Sequence, residues 1–235
     1  MPDLEKIQAD VIDDEIGKQI EWERASKVSA LEQCIYLFVE GESEEIAFRI
    51  ILEEGLGIDF SEYGIVIANY NGIGNLKHVI RIMDNTLSLD RPMIFTFDDD
   101  DPSKVPAPNS LTNNIHLFKV PCTPTVQLTS GQQGGSFEES FLPQDFIDAC
   151  FDTDYLRANT HIKKQDFEGV FSPTKPFYPQ MVNFLKSRKS AIYALPKPAI
   201  AENIAVACNP IPPTYVGLGD LIKTIRQQYP VEVKI

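Results

Sequence analysis

Two pairs of carboxylates stand where the chain could do chemistry. Glu40 and Glu44 flank Gly41-Glu42-Ser43, and Asp98 and Asp100 flank Asp99. Residues two apart on an extended backbone project the same way, so Asp98 and Asp100 can share a target while Asp99 faces away. Glu44 falls in the first turn of a helix that begins just after Glu40. So many carboxylates cannot all be ionised close together without a compensating charge. Oxygen-only ligands suit a hard cation, Mg²⁺ or Mn²⁺, which keeps part of its water shell and binds phosphate. The run Phe97-Asp98-Asp99-Asp100-Asp101-Pro102 taken alone reads equally well as a solvated acidic turn. The second pair, at the end of another apolar run, favours a metal site.

The flanking sequence supplies elements able to position these acids. Cys34-Ile35-Tyr36-Leu37-Phe38-Val39 is a continuous apolar run of the kind buried on both faces of a parallel sheet. Ile65-Val66-Ile67-Ala68, Pro92-Met93-Ile94-Phe95-Thr96-Phe97 and Ile115-His116-Leu117-Phe118-Lys119-Val120 repeat the pattern. A helix is expected over 43–56, with Ser43 as its N-cap and Glu44 and Glu45 in its first turn. A second is expected after Asn71-Gly72-Ile73-Gly74, with Leu76, Val79, Ile80, Met83 and Leu87 on one face. Alternating βα units predict a Rossmann-like α/β core with a central parallel four-stranded sheet formed by 34–40, 64–69, 92–97 and 115–120 and helices on both faces. In such sheets ligands bind at the carboxyl ends of the strands, and neighbouring strands lie about 5 Å apart. If 34–40 and 92–97 are neighbours, Glu40 and Asp98 come within reach of one cation. Residues 4–33 read as an N-terminal helix, 121–136 as loop, and the chain from 137 as helices broken by Pro. The expected division is an N-terminal helical extension (1–33), a core (34–150) and a helical insertion with C-terminal helices (151–235).

The order Val39-Glu40-Gly41-Glu42-Ser43-Glu44-Glu45, then Asn71-Gly72-Ile73-Gly74-Asn75, then Phe95-Thr96-Phe97-Asp98-Asp99-Asp100 resembles the TOPRIM domain, most closely that of the overcoming-lysogenisation-defect (OLD) nucleases. The resemblance spans roughly residues 34–225. It implies metal ligands at Glu40, Glu44, Asp98 and Asp100. Gly134-Gly135-Ser136-Phe137-Glu138-Glu139 is similar to the segment bearing a further family glutamate, which implies Glu138, with Glu139 as the alternative. Lys197-Pro198-Ala199-Ile200-Ala201 matches the segment of a late family lysine, and Ile211-Pro212-Pro213 suits the entry to the C-terminal helix. The activity implied is hydrolysis of DNA phosphodiesters with two cations roughly 4 Å apart. Asp98 would bridge them, Glu40 and Glu44 would serve one and Asp100 and Glu138 the other, with Glu40 as a possible general base in a one-metal reaction. Lys197 would stabilise charge on the phosphate. OLD nucleases join this domain to an ATPase, yet no GxxxxGK[ST] phosphate loop occurs in these 235 residues. A separate ATPase subunit is therefore the expected partner, in a setting of phage defence. A primase or topoisomerase of the same superfamily, or a non-catalytic binding module, are the rival readings. No zinc module accompanies the acids, and little length is left for a tyrosine-bearing topoisomerase domain.

The net charge of −13 excludes a surface that is one nucleic-acid footprint. Residues 1–110 hold 23 of the 34 acids and 9 of the 21 bases, so the second half is nearly neutral. Within 157–189, Arg157, Lys163, Lys164, Lys175, Lys186, Arg188 and Lys189 alternate with Phe167, Phe171, Phe177 and Tyr178. That segment reads either as a surface that tracks a nucleic-acid backbone and stacks bases or as a helical lid whose aromatics are core. Four scattered cysteines predict free thiols, and His78, His116 and His161 suggest neither triad nor zinc site. No apolar run reaches the roughly 18 residues of a membrane span, and the acidic start lacks a secretory h-region; the expected location is cytoplasmic. The apolar face of the N-terminal helix (Leu4, Ile7, Val11, Ile12, Ile16, Ile20) predicts homodimerisation or docking of an ATPase.

Overall fold

The computed structural model describes residues 34–86, 91–99 and 102–230; the helix expected over 4–33 and the carboxylate of Asp100 lie outside them. Four parallel strands form the central sheet: β1 (Ile35–Val39), β2 (Ile65–Asn69), β3 (Met93–Asp98) and β4 (Ile115–Val120), in the order β2-β1-β3-β4. β1 and β3 are therefore neighbours, with Leu37 opposite Ile94 and Phe38 opposite Phe95.

The period-two alternation of a strand explains why β1 is apolar throughout. Ile35, Leu37 and Val39 enter one core, while Phe38 enters another on the opposite face. On the first side lie α1 (Glu42–Ile50), which runs on into one wider turn over Ile51–Gly55, and the last helix of the chain. On the second side α2 (Leu76–Thr86) supplies Leu76 and Ile80, which close over Met93, Phe95 and Ile115. The Phe38 and Phe95 rings stack across the strands at 4.6 Å. Helices thus cover both faces, as the sequence predicts.

Beyond β4 the chain differs from the expected loop. Val126–Gln127 (β5) and Gln133–Gly134 (β6) pair antiparallel, and Asp99 bridges to Gly135. A one-turn helix (Phe137–Ser140) follows, then α3 (Pro143–Phe151), α4 (Asp154–Ala158), α5 (Lys164–Glu168), α6 (Phe177–Ser187), α7 (Lys197–Ala207) and α8 (Pro213–Gln228). α7 packs on both α1 and α3, joining the helical region to the sheet. Cys34, Cys122, Cys150 and Cys208 are free thiols, and no helix among the described residues is long and apolar enough to cross a membrane.

The segment 157–189 resolves in favour of packing. Phe167 and Phe177 are wholly buried, and Phe171 packs against them. Arg157 pairs with Asp152, Lys164 with Asp148 and Glu168, and Arg188 with Asp166. Its phenylalanines are core rather than a platform for bases, packed with Met181, Phe184 and Leu185 of α6.

The β5–β6 hairpin is held against the end of β3 by a contact that only glycine permits. A Cβ on Gly134 would lie 2.2 Å from the Asp99 carbonyl oxygen. Gly134→Ala should therefore destabilise the fold by about 1–3 kcal/mol, read as a lower melting temperature, whereas Gly74→Ala, with nothing within 4 Å of the added methyl, should melt with the parent. Equal melting of the two variants would show that the hairpin is not fastened to β3.

Candidate metal centre

Glu40 emerges from the end of β1 and turns its carboxylate across the strand ends. Its Oε1 accepts from the Ile73 amide at 3.0 Å, its Oε2 from the Asp98 amide at 3.3 Å, and its carbonyl from the Gly72 amide at 2.8 Å. One residue thereby ties β1 to the loop after β2 and to the last residue of β3. The loop needs its glycine, since Gly72 has φ +96°, a region that side chains rarely adopt. The adjacent Asn71 also has positive φ (56°).

Glu44 lies in the first turn of α1, where the helix N-terminus favours an anion. Ser43 does not cap this helix: the cap is Gly41, in extended conformation and without a side-chain bond. Ser43 instead lines the same cavity as Glu44. Glu44 is buried, and its pKa is raised from 4.5 to about 7. Burial is the main cause; the neighbouring Glu138 and Glu40 add to it, while its own backbone amide and Lys197 oppose it.

Glu138 and Glu139 both sit in the short helix after β6, and the structure separates them. Glu139 is engaged away from the cavity: it accepts from the Ser136 amide at 2.7 Å, completing a capping box, from the Phe177 amide at the start of α6, and lies 2.6 Å from the Ser136 hydroxyl. Burial raises its pKa against those hydrogen bonds. Glu138 lines the cavity, with Oε1 2.8 Å from Lys197 Nζ and Oε2 2.7 Å from the Ser136 hydroxyl. Burial pulls the Lys197 ammonium down, but Glu138, with Asp98 and Glu44 behind it, outweighs this and raises its pKa.

Glu40, Glu44, Asp98, Glu138 and Lys197 thus line one cavity of about 320 Å³, together with Gly41, Ser43, Asn71, Gly72 and Phe137. Asp99 is turned away, paired with Lys119 at 3.1 Å. Asp100 lies outside the described residues, so its place is open. Asn71 and Ser43 line the cavity although the sequence marks Ser43 only as a helix cap and Asn71 only as part of a turn at a strand end.

An all-carboxylate set facing one cavity has the donor chemistry of a Mg²⁺ or Mn²⁺ site. Burial, with Glu138 and Glu40 adding to it, raises the Glu44 pKa despite the opposing Lys197. Among the described residues no three acids are already drawn together around one point. Glu40 is held by backbone amides, and Glu138 by Lys197 and Ser136. The donor types fit a cation, and their side chains need rearrangement about χ angles to converge on one.

Residues 35–100 match the model of the overcoming lysogenization defect protein-like TOPRIM domain. They form an OLD-like TOPRIM domain. This segment includes Glu40, Glu44, Asp98 and Asp100 and ends before Glu138 and Lys197. Solved structures similar to the chain include the C-terminal region of the Burkholderia pseudomallei OLD protein, at 13% identity and TM-score 0.49 over 82% of this chain and 97% of that one. Another is the C-terminal region of the Xanthomonas campestris pv. campestris OLD protein, at 14% identity and TM-score 0.49 over 83% and 95%. No curated protein matches the chain.

The pKa of Glu44 gives a signed prediction for the metal-free TOPRIM site. A carboxyl whose folded pKa lies near 7, above its ordinary 4.5, contributes fully at low pH and loses that contribution as pH rises through 7. In EDTA, Glu44→Gln should therefore melt higher than the parent at pH 8, by roughly 4 °C, with the gap closing toward pH 5. Melting curves that stay parallel from pH 5 to 8 would show that Glu44 is not under electrostatic strain.

Proposed function

We propose that this chain is a Mg²⁺- or Mn²⁺-dependent nuclease that hydrolyses DNA phosphodiesters. An OLD-like TOPRIM domain points to nuclease or nucleotidyl-transfer chemistry. The observation that carries the finer reading is the gathering of Glu40, Glu44, Asp98, Glu138 and Lys197 around one cavity, from four separate parts of the chain.

Glu40, Glu44, Asp98 and Glu138, joined by Asp100, are the residues that would hold the cations. When bound, two cations supply neutralisation of the attacking and leaving oxygens of the phosphodiester and lower the pKa of a water. The rest is the work of the chain itself. Glu40, fixed by two backbone amides, keeps the ends of β1 and β3 in register, so that Asp98 faces the cavity. Glu44, in the first turn of α1, forms its inner wall. Lys197 offers its ammonium to a non-bridging phosphate oxygen, exchanging the Glu138 contact for the substrate. The buried ring of Phe137 limits water at one side of the cavity.

The same proposal extends to partners. A separate ATPase subunit is the proposed partner, supported by the resemblance to OLD nucleases, which join this domain to an ATPase. Docking or homodimerisation through residues 1–33 and a role in phage defence complete the reading; its support is the apolar pattern of that segment and the resemblance to OLD nucleases.

Plasmid DNA incubated with the purified protein should be nicked or linearised in Mn²⁺ or Mg²⁺ and left intact in EDTA. Asp98→Ala should lower the rate by about 10²–10³-fold without lowering the melting temperature, because deleting one of several crowded carboxylates relieves repulsion. Cleavage that persists in EDTA, or an Asp98→Ala variant as active as the parent, would refute the assignment.

A further inference from the structure

Lys197 stands at the first position of α7 on a long, flexible stem, and such a side chain loses rotamer freedom when held in one place. Its setting shows how it is held. The ammonium lies 4.7 Å from the centroid of the Tyr178 ring while contacting Glu138 at 2.8 Å. The Tyr178 hydroxyl donates to the Leu195 carbonyl at 2.6 Å, two residues before Lys197. One tyrosine therefore grips the lysine twice, by its ring under the charge and by its hydroxyl on the backbone that leads into α7.

Tyr178 is in turn fixed to the carboxylate segment. It is the second residue of α6, and the amide of the first, Phe177, donates to Glu139. Glu138 and Glu139 thus act on the same corner from adjacent positions: Glu139 fastens the start of α6, and Glu138 meets the lysine that α6 supports. Burial, with Glu138 adding and Lys197 opposing, raises the phenol pKa, so the hydroxyl stays protonated and remains a donor.

From this geometry we propose that Tyr178 is the positioning residue for Lys197, holding its ammonium at the mouth of the carboxylate cavity for a phosphate. An aromatic face suits that task better than another carboxylate. It attracts a cation without neutralising it and accepts none of its N–H bonds in the directional sense, which leaves donors for phosphate oxygens. A leucine would fill the space with no attraction for the charge. A phenylalanine would keep the ring and lose only the strap to Leu195. The proposal rests on the nuclease reading for its catalytic consequence, but the positioning itself has a readout independent of activity.

The test compares the parent with Tyr178→Phe and Tyr178→Leu in the full chain. Lysine selectively labelled with ¹³C reports, by NMR, the upfield ring-current shift that the Tyr178 ring imposes on the Lys197 ε-methylene, and Lys197→Arg identifies the signal. The shift should persist in Tyr178→Phe and vanish in Tyr178→Leu at an unchanged melting temperature. In plasmid cleavage with Mn²⁺, kcat should fall about tenfold in Tyr178→Leu and less than about threefold in Tyr178→Phe, with KM within about twofold of the parent, a loss on the scale of one cation–π contact. Retention of the shift in Tyr178→Leu overturns the proposal, as does a lost shift with unchanged kcat. A melting temperature that falls in Tyr178→Leu moves the decision to Tyr178→Phe, whose failure to keep the shift counts equally against it. If the parent itself cleaves nothing, the nuclease reading fails separately, and the shift in the three proteins alone decides the positioning.

Discussion

The Glu40 carboxylate, pinned between the backbone amides of Ile73 and Asp98, is the constraint on which the site depends. Two amide donors fix it in orientation, and its carbonyl takes a third from Gly72. Because β1 lies between β2 and β3, these bonds set the distance between the two strand ends that carry acids. They also bring anionic charge toward Glu44, whose pKa is raised chiefly by burial, with Glu138 and Glu40 adding to it. Two carboxylates in one cavity thus differ in kind: Glu40 is held by the amides of two other elements, whereas Glu44 is buried in the first turn of its own helix.

The positive charge near this group comes from a part of the fold remote in sequence. Lys197 belongs to a helix packed against α1 and α3, and Glu138 to a turn delivered by the β5–β6 hairpin. Removing one partner of such a pair leaves a largely buried Glu138 uncompensated, which costs more than the pair contributes. The helical region therefore does more than cover the sheet. It brings one acid and one base to a cavity whose other walls come from the strand ends, and α6 fastens that corner through Glu139 and Tyr178.

The sheet was legible in the sequence for a simple reason: strands buried on both faces are written as largely apolar runs, as in Ile35–Val39 and in Met93–Phe97, where Thr96 is the one polar residue. The acids at their ends followed, because a charged residue directly after such a run must leave the core. Other features left weaker traces. Ser43 has the right type and place for an N-cap, but extended Gly41 begins the helix two residues earlier than a serine cap would require. Strands of two residues, such as β5 and β6, are too short to show alternation. In 157–189 the same alternation of bases and aromatics describes a stacking surface or a packed lid; burial of Phe167 and Phe177 is a tertiary fact and decides it. Choosing Glu138 over Glu139 likewise needed the amides of Ser136 and Phe177, whose positions no local pattern encodes. The ring under Lys197 was invisible for the same reason, since residues 178 and 197 lie in different helices.

The central claim is that these converging carboxylates are a cation site, and diffraction answers it most directly. Crystals soaked in Mn²⁺ and measured near the manganese absorption edge should show anomalous density inside the cavity bounded by Glu40, Glu44, Asp98 and Glu138. Anomalous density at other surface acids, with this cavity empty under the same soak, would contradict the account.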